Sequence, residues 1–170
     1  MYNSNMIVPA VFIGLALILF IGSFLSKRRF GLLGLALTAG ATLSTIWSYD
    51  AGLIISSTGL VPVGPMTNAV ALSLVVLLPA VVLLFHGYRY KAMFSRIIGS
   101  LLFTILALAF LLEPVGFALP LEGSSAYLYN QAVSYKEFVI SIGVILAVID
   151  LFFTKPAHIA EKNNRKNSRH

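Results

Sequence analysis

Five long apolar runs constrain what this chain can fold into more than any other feature. They lie at about 7–25, 30–47, 67–85, 97–112 and 138–153, and Asp150 is the only charged residue inside any of them. A helix crosses a hydrocarbon core of roughly 30 Å with about 20 residues. The second run, the span 30–47, reaches about 27 Å at the helical rise. Charged residues make up 11% of the chain and hydrophobic ones 58%, where a soluble domain carries about 25% charged residues. Little chain is left over for a soluble domain. The pattern predicts an all-α fold, a polytopic transmembrane helix bundle of five spans over residues 1–154. A basic cytoplasmic tail follows at 155–170, too polar to pack and expected to be disordered.

Lys27-Arg28-Arg29 sits between the first two runs and orients the rest. The first run contains 13 residues of the Leu, Ile, Phe and Val class, each favouring insertion by roughly 0.3–0.6 kcal/mol at a helix centre. Positive charge follows this run, whereas a signal peptide carries it in front. The run therefore reads as a retained helix with its N-terminus outside. Under that topology Lys27, Arg28, Arg29, Arg89, Lys91, Arg96, Lys155, Lys162, Arg165, Lys166 and Arg169 are inside, which is 11 of the 12 basic residues. Only Lys136 is outside, together with the acids Asp50, Glu113, Glu122 and Glu137. Flipping the chain would invert that bias, so the expected arrangement is N-terminus out and C-terminus in, in a cell membrane.

Smaller marks fit this layout. Trp47 and Tyr49 follow the second run, as an interfacial aromatic belt does. The segment 50–66 is an outside loop with Gly52, Gly59, Gly64, Pro62 and Pro65, and its apolar Leu53-Ile54-Ile55 either lies on the membrane or dips back into it. Pro79 interrupts the third run and leaves the Val75 carbonyl without its helical partner. Glu113-Pro114 ends the fourth helix near 112, unless it continues to 119 before Pro120. The segment 122–136 is outside, where Ser124 or Ser125 could cap a short interfacial helix. Helices one–two and three–four are both hairpins with basic tips, a faint parallel repeat marked by Leu32-Leu33-Gly34 and Ile97-Ile98-Gly99.

Candidate chemistry is sparse. Gly31, Gly34, Thr38, Ala41, Thr42 and Thr45 recur at steps of three and four on one face of the second helix. Such a stripe packs helices closely, with hydroxyls bonding across, either within one protomer or at a homo-oligomer face or polar path. Ser100, Thr104 and Ala107, and Gly143, Ala147 and Asp150, form shorter versions. Asp150, about one turn from its helix end, is an interfacial ion pair or an ion or proton group. Its expected partner is Lys155 or a basic residue of another cytoplasmic turn. His86 reads as an interfacial residue, and His158 and His170 have no metal-ligand spacing. There is no cysteine, hence no thiolate site or disulfide. No nucleophile–base set or phosphate loop is visible, and no cofactor is implied. The basic residues flank apolar runs and do not form a nucleic-acid face, despite a net charge of +6.

From about Met6 to Leu112 the layout resembles the colicin V production protein family of small bacterial inner-membrane proteins. The likeness lies in an opening apolar helix, the turn Gly22-Ser23-Phe24-Leu25-Ser26-Lys27-Arg28-Arg29-Phe30, a small-residue second helix, and a second hairpin ending in Arg96-Ile97-Ile98-Gly99. The chain departs from that family by a fifth helix, and by lacking an acid early in the first helix and an Arg within the fourth. The resemblance implies an envelope accessory role and carries over no functional residue. The sequence thus predicts a non-enzymatic accessory or scaffold protein; the alternative is a homo-oligomeric transporter or channel subunit. Its expected partners are a bilayer with an anionic inner leaflet and either further copies or other membrane proteins.

Overall fold

A computed structural model describes residues 4–59, 64–85, 90, 92–119, 121 and 123–153, with side chains from Val8 onward. The tail 155–170, with Lys155, Lys162, Arg165, Lys166 and Arg169, lies outside the described residues, as do His86, Arg89, Lys91, Pro120 and Glu122.

Among the described residues the chain forms six helices and no strand: α1 (Ser4–Ser26), α2 (Phe30–Ile46), α3 (Ser48–Ser57), α4 (Pro65–Phe85), α5 (Met93–Gly116) and α6 (Gly123–Phe152). Four of them are long and apolar enough to cross a membrane, and a fifth crossing is reached if α2 and α3 count as one broken span. Helices suit such a setting because all their backbone groups bond within the segment.

α2 is the hub and packs against α4, α5 and α6, while α1 lies against α5 and α6. The core is a narrow column of Phe30, Leu33 and Leu37 from α2, Val76 and Ala80 from α4, Phe103, Leu106 and Leu111 from α5, and Ala147 from α6. Large apolar side chains such as Ile18, Leu25, Phe85 and Phe152 remain exposed around it. This inverts the soluble pattern, as expected when the surroundings are lipid tails and packing is carried by small residues.

Glycines set how closely the helices approach. A Cβ at Gly40 would lie 2.1 Å from the Val76 carbonyl oxygen, and one at Gly31 would lie 2.5 Å from that of Ala147. A Cβ at Gly34 would meet the Ala147 side chain at 2.8 Å, and one at Gly143 would meet Leu106 at 2.8 Å. The small residues of the sequence stripe therefore serve contact inside this chain at Gly31 and Gly34, both buried, whereas Thr42 and Thr45 are exposed. The threonines do not bond across helices. Thr38 donates back to Gly34 O (3.0 Å), Thr42 to Thr38 O (3.0 Å) and Thr45 to Thr42 O (2.7 Å). Their hydroxyls are satisfied by the preceding turn of their own helix.

Three segments differ from the sequence expectation. The supposed loop after residue 50 begins as a helix, α3, turned by 83° from α2 at Trp47. Ala51 is buried, and Gly52 lets Asn68 of α4 approach. The fourth helix ends neither at 112 nor at 119 but at Gly116, having begun at Met93. It runs through Pro114, which is buried, because Gly116 beyond it seats the Tyr129 ring of α6. Packing thus outweighs the local penalty that proline places on its predecessor.

The largest correction is α6. It is a continuous 30-residue helix from Gly123 rather than a span beginning at 138. At the helical rise this is about 45 Å, well over a hydrocarbon thickness. Its polar first half carries no apolar run, so no local pattern marks it as helix. It is helical because Tyr129 and Lys136 dock on the end of α5, and Ser125 is buried in the first turn of α6. Ser124 and Ser125 belong to this long helix and cap no short one.

Candidate functional site

At one end of the bundle, charged side chains hold helix termini. α1 and α4 present their last carbonyls there, the negative ends of their dipoles. Arg28 turns inward to 8% exposure and donates from Nε to Leu84 O at 2.9 Å and from Nη2 to Phe85 O. Arg96 donates from Nε to Phe24 O at 2.6 Å, its guanidinium 3.8 Å from the centre of the Phe24 ring. Arg28 from the first basic turn and Arg96 from the first turn of α5 thus close the ends of α4 and α1. Lys27, directly after α1, adopts a left-handed φ of 57°, and its carbonyl accepts the Tyr90 N–H at 2.9 Å. That bond joins the two turns.

Asp150 works at the opposite polarity. α2 begins beside it, and Arg29 at its N-cap position provides no side-chain cap. Asp150 Oδ2 instead accepts the Gly31 N–H at 2.9 Å and the Tyr90 hydroxyl at 3.3 Å. Arg29 Nη2 lies 3.7 Å from Oδ1. The Tyr90 hydroxyl in turn accepts the Phe30 N–H at 3.1 Å. The carboxylate and the phenol therefore satisfy two of the donors that α2 leaves free at its start. Gly99 makes this geometry feasible, since a Cβ there would lie 2.6 Å from the Tyr90 ring. Burial is the main cause that raises the Tyr90 phenol above its ordinary value of 10.0, with the Asp150 charge adding to it.

Of the two partners considered for Asp150, the structure brings up a basic residue of another turn, Arg29, while Lys155 lies outside the described residues. Tyr90 is the member of this cluster that the sequence did not single out. Its only signal was its place beside the second basic tip.

The other end is open. Two adjoining cavities of about 690 and 380 Å³ share Ser48, Leu72 and Phe117. The larger lies under α3 and the start of α4, beside Tyr49, Gly52 and Asn68. The smaller descends between α2, α4, α5 and α6 to Val76, beside Ser44, Thr45 and Ile140. Glu113 and Lys136 line it and pair with each other, α5 to α6. Among the described residues no three His, Asp or Glu side chains come together as a metal site would need.

No family model matches the chain, and no curated protein or solved structure matches it. Fold and geometry define its class: an all-helical bundle of membrane-crossing dimensions, tied at one end by helix-capping charges and cleft at the other.

Proposed function

We propose that the chain is a five-span protein of a bacterial cell membrane, N-terminus outside and C-terminus inside, acting as a non-enzymatic accessory or scaffold. This is the role that the resemblance to colicin V production proteins implies. The observation that carries it is the use of the charges at the basic end. Arg28, Arg96 and Asp150 each hold a helix terminus of this same chain. Charges at membrane depth are costly and are kept where they are paired or functional; here pairing accounts for them. The 11-to-1 distribution of basic residues supports the orientation. α3, at 83° to α2, suits a helix lying along the outer interface. The basic tail then faces an anionic inner leaflet, where each Lys or Arg contributes about 1 kcal/mol of attraction.

A second reading, a small transporter or channel subunit, is favoured by the open cleft and by the exposed Thr42 and Thr45 as a face for a second copy. Proteoliposomes loaded with ion-sensitive dyes separate the two. The accessory reading expects flux at the empty-liposome level for both wild type and Asp150→Asn. Flux above that level in wild type, lost in Asp150→Asn, would overturn it in favour of transport.

A further inference from the structure

We propose that the open cleft binds a zwitterionic phospholipid with a free ammonium, of the phosphatidylethanolamine class, its ammonium on Glu113 and its phosphate on Lys136. Both lobes fall in the size range of ligand sites, roughly 300–1,000 Å³. Among the described residues lining the two lobes, Glu113 and Lys136 are the only charged ones. This described lining carries one charge of each sign.

That balance selects its ligand. An anion on Lys136 would lie beside the Glu113 carboxylate and be repelled by it; a cation on Glu113 would leave the more covered Lys136 ammonium without its partner. A zwitterion replaces both partners at once, so neither protein charge is left uncompensated. The two side chains are unequally free. Lys136 is 17% exposed with its stem covered, and Glu113 is 58% exposed. Glu113 can thus swing to meet an ammonium while Lys136 stays to hold a phosphate. Ser44 and Thr45 line the same lobe and spend their hydrogens on Ala41 O and Thr42 O. Their oxygens keep lone pairs that accept from an ammonium.

The shape fits a lipid rather than a free headgroup. The smaller lobe reaches Val76, 11 residues beyond Pro65 at the start of α4, a depth of about 16 Å along the helix. Its floor is apolar, formed by Val76, Ala109, Phe110 and Ile140. Tyr49 and Phe117 stand exposed along the cleft; tyrosine, with an apolar ring and a polar tip, is a residue type that sits at headgroup level. The proposed topology decides only which leaflet supplies the lipid, so the inference stands apart from the accessory reading.

Trp47 is the chain's single tryptophan and immediately precedes Ser48 of the cleft wall. Its fluorescence is the readout for the full chain in maltoside detergent, titrated with dihexanoyl phosphatidylethanolamine or dihexanoyl phosphatidylglycerol. Wild type should saturate with the ethanolamine lipid at a concentration roughly tenfold lower, the scale of one charge-assisted hydrogen bond. Glu113→Gln, at an exposed position, should reverse the preference by leaving Lys136 alone. Lys136→Gln should abolish the response to the phosphatidylglycerol and weaken that to the ethanolamine lipid. Equal response of wild type to both lipids, or an unchanged preference in Glu113→Gln, would overturn the proposal. So would glycerophosphoethanolamine, which lacks acyl chains, binding as tightly as the lipid.

Discussion

Asp150 accepts the backbone N–H of Gly31 at 2.9 Å across 119 residues of sequence, so the last helix caps the first turn of the second. A carboxylate at a helix start both fills an unmade hydrogen bond and opposes the positive end of the dipole. Asp150→Ala should lower stability by roughly 1–3 kcal/mol, the range of a lost cap plus an unsatisfied donor. Asp150→Asn keeps an acceptor and loses the charge, and should fall between. Thermal unfolding in detergent, followed by helical circular dichroism, checks the order; Asp150→Ala melting with wild type would contradict it.

Gly40 and Gly14 make a matched pair. A methyl at Gly40 would sit 2.1 Å from the backbone oxygen of Val76, while one at Gly14 meets nothing within 4 Å. Backbone cannot give way as a side-chain tip can, so α2 and α4 must separate. Gly40→Ala should destabilise by roughly 1–3 kcal/mol, the usual cost of overpacking. Gly14→Ala should be neutral or stabilise by up to about 1 kcal/mol through helix propensity. Equal melting temperatures for the two variants would mean that the α2–α4 contact yields freely.

These two relationships also show what was legible in the chain. Periodicity and small-residue spacing marked Gly31 and Gly34 as packing positions, and the lone intramembrane acid marked Asp150. Those signals are local, or stand out against an apolar background. The long α6 was not legible, because its first half is polar and is made helical by docking Tyr129 and Lys136 on α5, a contact no local pattern records. Tyr90 was missed for the same reason: its role depends on Gly99 and Phe30, which come near only in the folded bundle. The cleft is likewise a product of the bend at Trp47: the sequence ends the second apolar run there, but the 83° turn into α3 is set by packing against α4.

Tyr90 gives a pH signature. Its phenol titrates above 10.0 in the folded chain, chiefly through burial. The folded state thus holds the proton after the unfolded state has released it. The stability this provides is fully present below the unfolded value of 10.0 and is lost as pH rises through the folded one. As pH rises above 10.0, wild type should lose stability more steeply than Tyr90→Phe, measured by melting in detergent. Parallel curves would place Tyr90 outside the network.

Arg28 separates two uses of a positive charge. Topology needs only the charge, whereas closing α4 needs a fork that reaches both Leu84 O and Phe85 O. Arg28→Lys should therefore insert in the same orientation and yet melt lower, since its single ammonium replaces the planar pair of donors. A loss of about 1–2 kcal/mol is expected for one charge-assisted hydrogen bond at a buried site. Unchanged stability would leave Arg28 with a topological role alone.

Orientation itself can be read by labelling, because the chain has no cysteine of its own. Ser57 in the last turn of α3, Ser124 in the first turn of α6 and Ala92 before α5 are all exposed. With the N-terminus outside, Ser57→Cys and Ser124→Cys should react with an impermeant maleimide in intact cells. Ala92→Cys should react only after lysis, because it shares its end of the bundle with Arg28 and Arg96, which the positive-inside bias keeps in the cytoplasm. Asn164→Cys in the basic tail should behave like Ala92→Cys. The 83° break makes this position decisive. If α2 and α3 together turned back without crossing, α4 would start on the same side as α2 and the number of spans would be even. Asn164→Cys and Ala92→Cys would then no longer label on the same side as Arg28, and labelling of Asn164→Cys in intact cells would overturn the five-span arrangement.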